Sequence, residues 1–225
     1  MPTVKAVVTA GGTSRRYGKT NKLFEDLCGK PVIKYSVDLF TKMGFEIVIP
    51  CHNSFQAETA KLFENYENVK VIQGGDSRQQ SVFRGLKEVG DCDFVIIHDA
   101  ARPLIQEKTV KRCLETAFEK KAVITAVKTT DTIKTVDETN KITSTPNRAY
   151  LINVQTPQIF EYKKILEAHE KFKNENFTDD ACLIEACGGT VYYSEGEYSN
   201  IKITNHTDTA YAKILLETEL CFWYS

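Results

Sequence analysis

The sequence predicts an α/β fold in which a mostly parallel β-sheet is covered by helices on both faces. Apolar runs rich in β-branched residues alternate along the chain with segments whose apolar residues recur at helical spacing, and this alternation is typical of parallel sheets. The run at 93–97 is almost continuously apolar, which indicates a strand buried on both faces. No linker or repeat interrupts the pattern, so we expect one domain over residues 1–225.

The elements follow in chain order from apolar periodicity and from cap and turn residues. The predicted strands are 4–9, 46–50, 69–72, 93–97, 122–127, 191–193 and 200–203. Helices are predicted at 31–43, at 55–66 and at 207–216. Two more carry apolar residues from 82 to 89, where Ser77 is the cap, and from 110 to 118. Another follows 156–158 and includes 165–172, and the remaining one begins at 178–180 and ends at 188–189. Ligands of open α/β sheets bind at the carboxyl ends of the strands, so we expect the site in the loops there.

The overall composition is that of an ordinary globular protein. The hydrophobic share is 42%, the charged share is 26% and the formal charge is −1, so no global basic field attracts nucleic acid. The seven cysteines are scattered without zinc-ligand spacing, as expected for buried thiols in a reducing compartment. No apolar run reaches the ~18 residues of a membrane helix, and no signal-peptide pattern is present, so we expect a cytoplasmic protein without a membrane partner.

The first strand runs into a loop that combines glycines with clustered cations. Gly11 and Gly12 follow the strand, and the cations are Arg15, Arg16, Lys19 and Lys22. Glycines allow backbone N–H groups to approach an anion closely, and the cations add charge. The loop is therefore predicted to bind a polyphosphate.

Two other interpretations of this loop stay open. In a P-loop, Gly18-Lys19-Thr20 would supply the second half of the pattern, but Thr13 stands where the first glycine is required. A P-loop also needs a helix that begins at its lysine, and residues 19–30 show no sustained helical periodicity. The second interpretation is a polar strand-to-helix loop without a ligand.

Asp99 and Arg102 follow the buried strand at 93–97 and should lie on the same rim as the opening loop. A carboxylate beside a polyphosphate loop is a candidate Mg²⁺ ligand, because Mg²⁺ prefers one or two carboxylates together with substrate phosphates. Alternatively, Asp99 caps the helix that begins near Gln106 or pairs with Arg102. We assign no chemistry to His98.

Residues 131–150 are predicted to form an inserted β-arm. The segments 133–136 and 141–145 alternate around the turn 137–140, which is typical of a hairpin. A polar two-stranded ribbon is marginally stable alone, so it should pack on another surface. It either grips a second subunit or lies back on its own domain.

These parts favour transfer of a nucleotidyl group over hydrolysis. A phosphate monoester loses its second proton near pH ~6 and arrives as an ionised nucleophile, so the remaining barrier is electrostatic. The chain offers the cations Arg16, Lys22, Arg148 and Lys202 but no convincing general base. The predicted reaction is therefore a cation- and metal-assisted transfer.

Seven motifs, in order, carry a resemblance to a known family. They are AGGTSRRYG followed by NKLF, GGDSRQQSV, HDAARP, DTIK, NRAYLINVQTPQIF, FTDDA and YSNIKIT, and the resemblance that they carry runs from about residue 5 to 213. This set resembles the 2-C-methyl-D-erythritol 4-phosphate cytidylyltransferases, which transfer CMP from CTP with release of pyrophosphate and use Mg²⁺. The resemblance implies a Rossmann-like nucleotidyltransferase sheet with a protruding β-arm that builds a homodimer.

The resemblance also implies roles for individual residues. The catalytic cations are Arg16, Lys22, Arg148 and Lys202. The CTP contacts are Ala10, Gly11, Gly12, Gly75, Asp76 and Ser81. The acceptor contacts are Asp99, Arg102, Thr132, Thr156, Thr178 and Asn200, of which Asp99 also binds the metal and Thr132 acts across the dimer together with Arg148.

The opening loop departs from the family pattern at two positions. Gly11 replaces the usual second alanine, and Ser14 replaces the loop glycine. The motifs AGGT, NRAYL and GEYSN lean toward the related ribitol-5-phosphate cytidylyltransferases, whereas HDAARP and TDDA lean toward the first family. Three alternative functions are therefore kept: the ribitol-phosphate enzyme, a P-loop-like NTPase, and a nucleotide-binding regulator without turnover.

Overall fold

The structure is a computed structural model that describes residues 2–11 and 21–223, with side chains as far as residue 218. Its strands are β1 Val4–Thr9, β2 Asp26–Leu27, β3 Lys30–Pro31, β4 Glu46–Cys51, β5 Val69–Gln73, β6 Phe94–Asp99, β7 Ala122–Lys128, β8 Thr135–Val136, β9 Ile142–Ser144, β10 Ile152–Glu161 and β11 Tyr192–Glu195. Its helices are α1 Val32–Lys42, α2 Gln56–Leu62, α3 Arg78–Val89, α4 Glu107–Lys120, α5 Tyr162–Lys171, α6 Asp180–Ala186 and α7 His206–Trp223.

Seven strands form the central sheet in the order β11-β7-β10-β6-β1-β4-β5. All neighbours pair in parallel except β10, which runs antiparallel to both β6 and β7. The predicted mostly parallel sheet is confirmed. Its edge at the carboxyl ends of β1 and β6 brings Thr9 opposite Asp99.

Alternate residues of the strands face two separate apolar layers. Ala6 and Val8 of β1 pack in one layer with α1 and α4, whereas Val7 packs in the other with α3 and α5. Helix α3 lies close to the sheet because Gly85 has no side chain, and a Cβ there would lie 2.5 Å from Val7 Cγ1. The sheet is thus buried on both faces, as its continuous apolar runs predict.

The structure corrects three sequence-based assignments. The segment 152–161 forms the long strand β10, although the sequence suggested only a lead into the next helix. The segment 200–203 is not a strand: the Ile203 amide donates to the Ala101 carbonyl in the loop after β6, so its hydrogen bonding is used outside the sheet. The helix predicted at 55–66 is shorter, and α2 covers only Gln56–Leu62.

The segment 131–150 contains the predicted hairpin. Strands β8 and β9 pair antiparallel around the turn at 137–140, where Asp137 Oδ1 accepts from the Thr139 and Lys141 amides. The hairpin is inserted between β7 and β10, which are neighbours in the sheet. Within the part of the chain that the structure describes, no helix has the length and apolarity needed to cross a bilayer.

Candidate active site

The predicted nucleotide segments meet at the carboxyl ends of β1, β4 and β5. The Ala10 amide donates to the Pro50 carbonyl at 2.9 Å. Gly11 lies so close to α3 that a Cβ there would be 2.5 Å from Ser81 Oγ. The same oxygen accepts from the Gly75 amide at 3.0 Å, which links the loop after β1 to the loop after β5.

Asp76 completes this side of the rim. Its backbone amide donates to Gln80 Oε1 at 2.9 Å, and its side chain is exposed. The structure therefore brings together Ala10, Gly11, Gly75, Asp76 and Ser81. Gly12 and Arg16 lie outside the described residues. Residues 21–30 form turns and short strands, so the helix required by a P-loop is not found there.

Asp99 is the centre of the rim and is held by three donors. Arg78 Nε lies 3.0 Å from its Oδ1, Lys202 Nζ lies 2.6 Å from its Oδ2, and Thr9 Oγ1 donates to Oδ1 at 3.2 Å. Burial alone would raise the pKa of this carboxyl, but the charges of Arg78 and Lys202 more than offset it and hold the pKa well below its ordinary value. Asp99 is thus ionised and fixed in orientation.

Arg78 also pairs with a second buried carboxylate. Its Nη1 donates to Asp180 Oδ2 at 2.8 Å, and His169 Nε2 lies 3.0 Å from Asp180 Oδ1. Burial tends to raise the pKa of Asp180, whereas Arg78 and His169 lower it to below its ordinary value. Burial lowers the pKa of Arg78, but Asp180 and Asp99 raise it above its ordinary value. The guanidinium is therefore permanently charged between two carboxylates.

The backbone of Asp99 is supported by a chain of hydrogen bonds in which each donor and acceptor can be assigned. His98 Nε2 lies 3.1 Å from the Arg102 carbonyl, which only accepts, so this nitrogen carries the proton and Nδ1 is an acceptor. Thr156 Oγ1 then donates to Nδ1 at 3.0 Å and accepts from the Asp99 amide at 3.1 Å. Burial lowers the pKa of His98 to about 4, which keeps the ring neutral.

The segment 200–203 carries Lys202 to the rim and is anchored on both sides. Asn200 Nδ2 donates to the Thr156 carbonyl at 2.9 Å, and Arg102 Nη1 donates to the Asn200 carbonyl at 2.7 Å. Lys22 Nζ donates to the Ile203 carbonyl at 2.7 Å. The two predicted catalytic lysines therefore meet at this short segment, since Lys202 belongs to it and Lys22 bonds to its backbone.

The alternatives considered for Asp99 and Arg102 are not what the structure shows. The Asp99 carboxylate pairs with Arg78 and Lys202, and Arg102 instead donates to the backbone carbonyls of Asn200 and Val154. Arg102, Asn200 and Thr156 thus hold the rim together with their polar atoms. Their predicted contacts with an acceptor stay predictions.

Three predicted acceptor or catalytic residues lie apart from this cluster. Thr178 is exposed just before α6, and its hydroxyl lies 3.6 Å from Cys182 Sγ. Thr132 and Arg148 are exposed on the β-arm, where Arg148 Nη1 donates to the Thr130 carbonyl at 3.0 Å. None of the hydrogen bonds observed among the described residues joins these three to Asp99.

Sequence reasoning missed Arg78, Asp180 and His169 as parts of the site. Arg78 stands directly after the helix cap Ser77 and follows the predicted nucleotide segment, and that position was the available signal. Asp180 was assigned only to a helix start, whereas Asp179 is the residue that caps α6 by accepting from the Cys182 amide. The Arg78–Asp180 pair spans 102 positions in the sequence, so no local pattern announces it.

The rim offers a metal ion one bond, which would come from the carboxylate of Asp99. No group of three or more potential metal ligands occurs among residues 2–11 and 21–223. A carboxylate offers about four lone-pair directions, and three of those on Asp99 are taken by Arg78, Thr9 and Lys202. One direction on Oδ2 is left, which suits Mg²⁺ when phosphates supply its other ligands.

Comparison with known proteins gives a uniform result. A family model described as 2-C-methyl-D-erythritol 4-phosphate cytidylyltransferase matches residues 4–218. A protein of this name from Caldanaerobacter subterraneus subsp. tengcongensis is 40% identical over 223 residues, which are 95% of this chain and 98% of the relative. One from Clostridium botulinum is 38% identical over 221 residues, which are 95% of this chain and 99% of the relative.

Solved structures agree with the sequence relatives. The crystal structure of 4-diphosphocytidyl-2C-methyl-D-erythritol synthase from Anaerococcus prevotii superposes with a TM-score of 0.86 at 31% identity, covering 96% of this chain and 99% of that one. The Thermus thermophilus 2-C-methyl-D-erythritol 4-phosphate cytidylyltransferase superposes with a TM-score of 0.78 at 27% identity, covering 96% and 100%. The resemblance seen in the motifs is thereby confirmed: the chain belongs to the 2-C-methyl-D-erythritol 4-phosphate cytidylyltransferase family and is a nucleotidyltransferase.

Proposed function

We propose that the protein transfers CMP from CTP to 2-C-methyl-D-erythritol 4-phosphate and releases pyrophosphate. The observation that carries the proposal is the cluster at Asp99, where two cations meet an ionised carboxylate beside the nucleotide segments. The family matches over residues 4–218 supply the identity of the two substrates.

The geometry suits an attack by an anion that needs no general base. An oxygen of the acceptor phosphate attacks the α-phosphorus of CTP, and the bond from that phosphorus to the oxygen bridging to the β-phosphate breaks. His98 cannot serve as the base, because both ring nitrogens are used by Thr156 and Arg102 and burial lowers its pKa to about 4. Lys22 and Lys202 would then lie beside the phosphates on which charge develops, and fixed cations there lower the barrier.

Asp99 would hold the Mg²⁺ ion of this reaction through the one lone-pair direction that its three donors leave on Oδ2. The bound ion would neutralise charge on the phosphates and polarise the α-phosphorus. The chain itself supplies the orientation of the carboxylate and the ionised state. Lys202 Nζ lies 2.6 Å from the same oxygen, and its flexible side chain can move from Asp99 to the incoming phosphate.

We place the chain in a homodimer as a single domain whose arm at 131–150 grips the second copy. The arm exposes large apolar side chains: Ile133, Val136, Ile142 and Tyr150. An exposed two-stranded ribbon needs a partner surface, and Thr132 and Arg148 on it would then reach the acceptor site of the partner.

The six described cysteines are free thiols, which supports a cytoplasmic location.

The proposal is tested by measuring pyrophosphate release with CTP and Mg²⁺ in three parallel reactions, with phosphate release measured alongside. They contain 2-C-methyl-D-erythritol 4-phosphate, ribitol 5-phosphate, or no acceptor. Release with methylerythritol phosphate alone is expected. Preference for ribitol phosphate would keep the chemistry and change the acceptor, whereas phosphate release without an acceptor would indicate an NTPase. CTP binding without release in any reaction would indicate a regulator.

A further inference from the structure

We propose that Arg78 is a positioning residue of the reaction, which fixes the carboxylate of Asp99 at the rim and is itself aimed by Asp180. The proposal rests on the proposed cytidylyl transfer and adds a residue to it. Arg78 contacts no atom predicted to react. It acts through Asp99, whose Oδ1 it contacts from Nε at 3.0 Å.

The backbone of Arg78 is fixed before its side chain makes any contact. It is the first residue of α3, directly after Ser77, whose hydroxyl accepts from the Gln80 amide at 3.1 Å. The neighbouring Gln79 is also anchored, since it donates to the Phe172 carbonyl and accepts from the Phe177 amide. The first turn of α3 is therefore attached to the segment that precedes α6.

The guanidinium fixes the orientation of the Asp99 carboxylate relative to that of Asp180. Its donors lie in one rigid plane, so the bond from Nη1 to Asp180 at 2.8 Å sets the direction in which Nε meets Asp99. Asp180 cannot swing away, because its other oxygen is held by His169 and both side chains are buried. His169 is stacked in turn on Phe83 of α3.

This arrangement determines which lone pair of Asp99 is left for chemistry. Arg78 and Thr9 occupy Oδ1, so the open direction lies on Oδ2 beside Lys202. Without Arg78 the carboxylate can rotate toward Lys202, and the open direction turns away from the rim. Misplacement of a reacting group by about 1 Å costs on the order of 100-fold in rate.

The experiment compares Arg78→Ala, Arg78→Lys and Asp180→Asn with the wild type. Lys87→Ala is the matched control, since Lys87 is an exposed residue of the same helix that pairs with Glu170, lies over the outer Phe83 ring and forms no ion pair with Asp99 or Asp180. Each protein is assayed for kcat and for the KM of the acceptor, for CTP affinity by calorimetry, and for thermal unfolding. These readouts separate a positioning role from a role in folding.

A positioning role predicts a loss in kcat with CTP affinity retained. Arg78→Ala should lose about 100-fold in kcat and keep CTP affinity within about threefold, because the Gly75 and Ser81 contacts do not involve Arg78. Arg78→Lys should lose about tenfold, since a point charge reaches one carboxylate and not both. Asp180→Asn should lose less than Arg78→Ala, and Lys87→Ala should match the wild type.

Two results would overturn the proposal. One is wild-type kcat in folded Arg78→Ala, or in Arg78→Lys if the alanine variant does not fold. The other is a parallel loss of kcat, CTP affinity and thermal stability, which would assign Arg78 a role in folding alone. If the wild type and Lys87→Ala bind CTP but release no pyrophosphate with any acceptor, the proposed function fails first, and the Arg78 proposal fails with it.

Discussion

Acidification should destabilise the protein through His98 before any carboxylate contributes. The ring is fully buried, packs edge-on against Phe40 with the ring centroids 5.3 Å apart, and accepts from Thr156 at Nδ1 only in its neutral form. Burial lowers its pKa from 6.5 to about 4. The unfolded chain therefore binds a proton at a higher pH than the folded chain does, and protonation favours unfolding.

The size of the effect follows from these two values. The stabilisation by neutral His98 is complete above the unfolded pKa of 6.5 and is lost as the pH falls toward about 4. Between about pH 7.5 and about pH 5, linkage gives a loss of about 2 kcal/mol in the free energy of unfolding. Asp99 and Asp180 act at lower pH, because their pKa values lie below the ordinary carboxylate value of 3.8.

The assay is urea unfolding followed by circular dichroism at a series of pH values, for the wild type and for His98→Asn. The asparagine oxygen can still accept from Thr156, but the side chain does not titrate. The wild type should lose about 2 kcal/mol more than the variant over this range. Parallel curves for the two proteins would refute the reasoning, as would an NMR titration showing the wild-type ring protonated near pH 6.5.

Three further predictions concern the rim and the arm. Gly11→Ala should weaken CTP binding in calorimetry, because the added Cβ would lie only 2.5 Å from Ser81 Oγ and would displace it. The loss of CTP affinity in the double variant Gly11→Ala/Ser81→Ala should be smaller than the sum of the losses in the single variants, and additive losses would contradict the close packing. Lys22→Ala should lower kcat by about 10²–10³-fold, and near-normal turnover would exclude Lys22 from the transition state. Mixed dimers of Lys22→Ala and Arg148→Ala should regain part of the activity, whereas no recovery would place the whole site within one subunit.

Local patterns were sufficient where burial alone determines the element. Strands β1, β4, β6 and β7 are mostly apolar and mostly buried, and their predicted positions agree with the structure to within two residues at each end, as does that of the half-exposed edge strand β5. Strand β10 was missed because its sequence is polar and contains Pro157, which argues against a central strand. The structure accommodates it with a register shift between Gln155 and Gln158, and Thr125 Oγ1 donates to the Pro157 carbonyl.

The part of the site that could not be predicted from the sequence consists of contacts between residues far apart in the chain. The resemblance named Asp99 and Lys202, which meet at 2.6 Å. The carboxylate partner of Arg78 on α6 could not be predicted, because a side chain's choice of partner depends on which helices the sheet brings together. The segment 200–203 was wrongly predicted as a strand for the same reason, since its amide and carbonyl partners are a loop and the Lys22 side chain.

The position of the hairpin in the chain has a consequence for how such a protein can diversify. The arm leaves β7 and returns in β10, and the Thr129 amide donates to the Leu151 carbonyl at 3.2 Å where it departs. Its two ends are therefore already joined by the sheet, and doubling the length of the excursion would cost only about 0.6 kcal/mol in loop closure. We therefore expect the arm to tolerate changes in length and sequence at little cost to the sheet that carries the nucleotide rim.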